Sequence, residues 1–87
     1  MIRIILNGGW YCPVVFCDYC GKRIDRATNG NAEYRVSDKG EPNVEPVLFT
    51  HKECCLPFES ANGGRATWYT EELSQFMKQL AHNVKLK

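Results

Sequence analysis

Eighty-seven residues suffice for one compact domain and are too few for two separate hydrophobic cores. An apolar share of 44% with 24% charged residues argues against intrinsic disorder, and 11 basic against 10 acidic side chains give no overall electrostatic footprint for DNA or RNA. The five cysteines need a reason, because domains this small often supplement a thin core with disulfides, a metal or an oligomer contact.

The apolar stretch near the N-terminus, Ile4 to Leu6, is too short for a secretory signal, and Pro13 to Phe16 and Val47 to Phe49 fall far below the roughly 20 residues of a membrane span. A soluble, cytoplasmic protein with no membrane partner is expected. Thiols stay reduced in that compartment, and the odd cysteine count also favours metal ligands over a disulfide framework.

Ile2 to Leu6, rich in β-branched residues and stopped by Asn7-Gly8-Gly9, predicts a strand whose hairpin partner is Trp10 to Phe16. Pro13 lacks an amide donor and belongs at an edge or bulge. Next come Cys17-Asp18-Tyr19-Cys20-Gly21-Lys22 and a polar connection from Arg26 to Asn31. Alternation resumes in Glu33 to Val36, turn chemistry fills Asp38 to Asn43, and Val47 to Thr50 is a second strand-like run delivering the chain to His51. Pro57 is expected to limit any helix begun at Thr50 to a single turn. Residues 61–69, with Asn62-Gly63-Gly64, read as a linker between a β-rich segment, 1–60, and a helix at 70–85. In that helix Leu73, Phe76, Met77, Leu80, Ala81 and Val84 share one face. Thr70 is the expected N-cap, Glu71 and Glu72 sit at the positive end of the dipole, and Lys78, His82 and Lys85 lie toward the negative end. Trp68 and Tyr69 are expected to pin the helix to the remainder of the chain. The expected class is α+β: small antiparallel hairpins and a C-terminal amphipathic helix in one small domain.

Cys17-x-x-Cys20 and His51-x-x-Cys54 form two pairs whose spacing lets both side chains of each reach one ion. Three cysteines and one histidine complete a tetrahedron with the soft sulfur and imidazole donors zinc prefers, leaving no open position for water or substrate. One structural Zn2+ per chain is therefore expected. Gly21 can take the positive φ that such a knuckle needs, while Lys22 and Arg23 can offset thiolate charge. The thirty intervening residues cost about 3 kcal/mol in the length-dependent part of loop closure. Structural zinc binding, at roughly 10–16 kcal/mol in finger peptides, exceeds that cost.

These residues, Cys17-Asp-Tyr-Cys20-Gly21-Lys22-Arg-Ile24, a hairpin, then Phe49-Thr50-His51-Lys-Glu-Cys54, resemble a treble-clef zinc finger, and the His-x-x-Cys half looks like the first zinc module of LIM domains. The resemblance covers about residues 17–56. It implies a knuckle supplying two ligands, a hairpin, and a second pair from a turn or helix start. The thirty-residue separation exceeds that of LIM modules, no second LIM site follows, and Pro57 interrupts the helix that a treble clef usually continues. The resemblance thus implies architecture more than activity.

The competing readings are buried free cysteines beside an unrelated histidine, a disulfide framework, and Cys55 in place of Cys54 as ligand; the zinc site with Cys54 is preferred. Cys12 and Cys55 otherwise read as small buried hydrophobes, and His82 as a solvated dipole-compensating group. No nucleophile, base and orienting group form a catalytic pattern, so no enzymatic activity is expected. The function expected is a structural zinc module for protein interaction, with a protein partner or a second copy docking on the C-terminal helix. A nucleic-acid-binding finger using Lys22, Arg23 and Arg26, and a thiol redox protein using the Cys-x-x-Cys pair, are the alternatives.

Overall fold

The computed structural model describes residues 1–36 and 42–84. Its α+β architecture is built from two three-stranded antiparallel sheets and two helices. The first sheet, in the order β1-β2-β3, contains β1 (Ile2–Asn7), β2 (Trp10–Phe16) and the short β3 (Arg23–Ile24). The second, in the order β5-β4-β6, contains β4 (Gly30–Val36), β5 (Pro42–His51) and β6 (Trp68–Glu72). Helix α1 (Cys55–Ala61) follows β5 after a 3-10 turn at Lys52–Cys54, and α2 (Leu73–Asn83) ends the described chain.

The first hairpin forms as the sequence predicts, and its hydrogen-bond phase explains Pro13. Met1 and Phe16 exchange both main-chain bonds, at 2.8 and 3.0 Å. Because bonded and non-bonded pairs alternate in an antiparallel ladder, the Ile4–Pro13 pair is non-bonded. The Pro13 nitrogen therefore faces away from β1, on the side where β3 reaches only Val15 and Phe16 and leaves the edge free.

The hairpin expected between the two ligand pairs is β4 and β5, joined through a stretch whose residues 37–41 lie outside those described. Three expectations for the chain after it are corrected. Pro57 does not stop the helix: α1 starts at Cys55, so Pro57 falls in the first turn, where its missing amide had no intrahelical acceptor. The stretch 61–69 is structured, holding the last residue of α1, a 3-10 turn at Arg65–Thr67 and the start of β6. The final helix begins at Leu73 rather than at residue 70. Thr70 lies within β6 and caps nothing; Glu72 occupies the cap position, and its carboxylate accepts a hydrogen bond from Ser74. Lys85 lies outside the described residues.

Strand β4 is central to the second sheet and is covered on both faces. On one, Ala32 and Tyr34 pack with Phe49, Leu73 and the partly buried Phe76 and Met77; Tyr34 stacks on Tyr69 at 5.4 Å, and Phe76 meets both Tyr34 and Phe49 at 6.1 Å. The start of β4 approaches α2 so closely that a Cβ on Gly30 would lie 2.9 Å from Ile24 Cγ2 and 3.0 Å from Leu73 Cδ2. Leu73, Phe76 and Met77 thus spend the first half of the helical stripe inside this chain, whereas Leu80 and Val84 stay exposed.

The other face of β4 carries Glu33, which is 0% exposed, against Glu59 of α1 at 3%. Thr50 donates to Glu33 at 2.7 Å, Thr70 donates to Glu59 at 2.7 Å and lies 3.3 Å from Glu33, and the Cys55 thiol donates to Glu59 at 3.3 Å. Phe58 meets Trp68 edge-on at 5.1 Å beside them, with the Arg35 guanidinium 4.6 Å over the Trp68 ring. Burial, then the hydrogen bond and negative charge of Glu59, raise the Glu33 carboxyl to about 8, against the pull of the Thr50 and Thr70 hydroxyls. Thr70, bonded to Glu59 and 3.3 Å from Glu33, ties α1 to the sheet at this pair.

A carboxyl whose folded-state pKa is raised stabilises the fold fully below its ordinary 4.5 and loses that contribution as pH rises to about 8. Glu33→Gln removes this titration. Urea unfolding at fixed zinc should show wild type losing stability relative to Glu33→Gln as pH rises through that window. A difference that stays constant with pH would contradict the raised Glu33 carboxyl.

Candidate metal centre

The knuckle between β2 and β3 is shaped by its backbone. Gly21 adopts φ +77°, a conformation that L side chains rarely take, and the turn closes with Gly21 N–H donating to the Cys17 carbonyl and Cys17 N–H to the Lys22 carbonyl, each at 2.9 Å. The amides of Tyr19 and Cys20 both point at Cys17 Sγ, at 3.4 Å. Asp18 ties this turn to β5: its amide donates to the Phe49 carbonyl at 2.6 Å, and its carboxylate accepts the Phe49 amide at 2.8 Å.

Two residues past Phe49, the end of β5 presents His51, and the 3-10 turn that follows turns Cys54 back toward the knuckle. One donor atom from each of Cys17, Cys20, His51 and Cys54 lies within 4.8 Å of the other three. His51 is oriented from behind. Its Nε2 sits 3.1 Å from the Arg23 carbonyl, which can only accept, so the proton is on Nε2 and Nδ1 faces Cys20 Sγ at 3.4 Å. A tetrahedral ion with bonds of about 2.3 Å to sulfur and 2.0–2.1 Å to nitrogen places neighbouring S and N donors about 3.5 Å apart. The donor set and its spacing fit a metal ion.

The sulfurs are also electrostatically crowded. Burial acts to raise the Cys17 thiol, but the amides of Cys20, His51 and Tyr19 and the His51 ring outweigh it and bring it down to about 6. Cys54 is pushed up to about 12, first by burial and then by Cys17 and Cys20 beside it. A dication bound to all three sulfurs would invert this, making deprotonation of each thiol favourable.

The four residues singled out by spacing are thus brought together, and Cys55, the competing fourth donor, is not among them. Its thiol turns to Glu33 and Glu59, and these three form the second close group of potential metal donors among the described residues. Cys12 lies apart in β2, its thiol 3.7 Å from the Trp10 carbonyl, and His82 is exposed in the last turn of α2. The supporting roles of Asp18 and of the Arg23 carbonyl have no sequence signal, since both depend on where β5 runs. No protein-family model, curated protein or solved structure matches the chain.

Asp18→Ala leaves the buried Phe49 amide without its acceptor and should cost about 1–3 kcal/mol in zinc-saturated urea unfolding, with Asp18→Asn, which keeps an oxygen there, costing less. Equal stability of Asp18→Ala and wild type would show that the clamp contributes nothing.

Proposed function

We propose that the chain is a small structural zinc module, with Cys17, Cys20, His51 and Cys54 holding one Zn2+ per chain, that works by presenting surfaces to a protein partner rather than by catalysis. The observation carrying this reading is the convergence of three sulfurs and the Nδ1 of an oriented histidine within 4.8 Å. Four protein donors fill a tetrahedral zinc, and such closed sites brace folds. The succession of knuckle, hairpin, His51 and Cys54, then helix α1 supports the treble-clef resemblance, and the continuation of α1 past Pro57 removes one departure from it.

An interaction role is favoured over nucleic-acid binding by what the surface offers. Arg23 is engaged with Asp25 at 3.6 Å, and the formal charge of +1 falls to zero when one dication binds three thiolates. Exposed apolar side chains, by contrast, gather at the end of α2 and along the β1–β2 hairpin.

Native mass spectrometry with and without chelator tests the metal reading: one zinc per chain is expected, with loss of the folded charge-state distribution on its removal. Cys54→Ser should weaken zinc binding by more than the roughly 10–100-fold that loss of a supporting hydrogen bond costs a metal site, whereas Cys55→Ser should retain one zinc. A chain that folds without metal, or equal zinc loss in the two variants, would overturn the assignment.

A further inference from the structure

We propose that the free edge of β1 pairs antiparallel with β1 of a second copy of this chain, about a two-fold axis through Ile4, to make one continuous six-stranded sheet. All six residues of β1 are exposed, and the strand is at the sheet edge with an unbroken register against β2. Natural edge strands of this length are usually guarded by charged side chains, proline or a bulge; β1 has no proline, lysine or bulge and a single charge, that of Arg3. The hairpin carries one charge between Ile2 and Phe16, that of Arg3.

The hydrogen-bond phase selects the register. Because Met1 and Arg3 stand in bonded pairs with β2, it is Ile2, Ile4 and Leu6 whose amides and carbonyls point outward. A two-fold at Ile4 sets Ile2 opposite Leu6 of the second copy, Ile4 opposite Ile4, and Leu6 opposite Ile2, so every outward group finds a bonded partner. Shifting the axis by one residue in either direction leaves one outward residue of each copy without a strand partner, Leu6 or Ile2, and the shift toward the N-terminus also sets Arg3 against Arg3. At the Ile4 register Arg3 lies opposite Ile5 and like charges stay apart.

Side chains support the same axis. On one face of the hairpin the register pairs Leu6 with Tyr11, Ile4 with Pro13 and Ile2 with Val15. Ile4, Leu6 and Tyr11 are 65%, 64% and 80% exposed there. Across the joined sheet they fall into rows: Tyr11, Leu6, then Ile2 and Val15 of the second copy; Pro13, Ile4, then Ile4 and Pro13; and the symmetric third row. No polar or charged side chain interrupts any of them apart from the tyrosine hydroxyl. An isologous pairing of this kind closes on itself as a dimer and consumes the edge. It deepens the interaction-module reading by naming a second copy as the partner, and it rests on the hairpin rather than on the metal donors.

The test is the mass of the zinc-loaded full chain by sedimentation, with zinc content measured on the same sample so that failure of the interface and failure of the metal site are told apart. Wild type should sediment at twice the 10.0 kDa chain mass. Ile4→Pro removes an outward amide that β2 does not use, so it should give a monomer with unchanged zinc content. In a Cys12→Ser background, Ile4→Cys places two thiols across the axis with Cα atoms about 5.5 Å apart, within disulfide reach, and should crosslink on mild oxidation, while Ile5→Cys should not. A monomeric wild type, a dimer that survives Ile4→Pro, or equal crosslinking at both positions would overturn the proposal; if Ile4→Pro fails to fold, the crosslinking pair decides.

Discussion

Asp18 gives its amide to the Phe49 carbonyl and takes the Phe49 amide on its carboxylate, and this reciprocal bond is what brings the two halves of the candidate site together. The knuckle belongs to one sheet and His51 to the end of a strand in the other. Nothing local relates them, because thirty residues intervene between Cys20 and His51. With Asp18 fixed on Phe49, Cys17 and Cys20 on one side and His51 on the other fall into register, and β3 lies where the Arg23 carbonyl can receive the His51 Nε2 proton. The orientation of the imidazole thus follows from main-chain geometry, which makes its tautomer insensitive to most side-chain changes around it.

How much of this is legible in the sequence depends on whether a feature is local. The two-residue spacing of each ligand pair, the Asn7-Gly8-Gly9 turn and the alternation in Glu33 to Val36 are local, and each corresponds to an element found in the structure. The beginning of α2 is not. Thr70 followed by Glu71 and Glu72 imitates a capped first turn, yet these residues extend to form β6 because β4 has a second edge to satisfy. Once extended, their side chains alternate: Trp68 and Thr70 face α1, while Tyr69 and Glu71 face α2, where Tyr34 donates to Glu71 at 2.7 Å. Long-range pairing overrides a plausible helix start here, so the boundary of α2 is less legible in the sequence than its apolar stripe.

Glu33 shows the same limit from another side. In a half-buried strand a glutamate between alanine and tyrosine reads as the solvent-facing member of an alternating pattern. Here the outward face is covered by α1, and the glutamate is buried against a second one. No spacing rule links Glu33 to Glu59, and the threonines that satisfy them, Thr50 and Thr70, come from two further strands. A buried carboxyl pair of this kind requires the acid form of one member, so its cost is set by pH rather than by a neighbouring cation.

The adjacent cysteines join these two centres. Successive residues entering a helix point about 100° apart, so the chain at Cys54-Cys55 sends one thiol to the knuckle and the next to the carboxyl pair. Helix α1, only seven residues long, gains little from its own hydrogen bonds and depends on these attachments. Cys54 at its N-cap belongs to the candidate metal donors, Cys55 and Glu59 hold the following turn, and Phe58 packs against Trp68 on its buried side. A disturbance at either centre therefore reaches the other through a single short helix. Loss of an ion from the candidate site should loosen the cover over Glu33, and deprotonation of the pair should loosen the turn that aims Cys54.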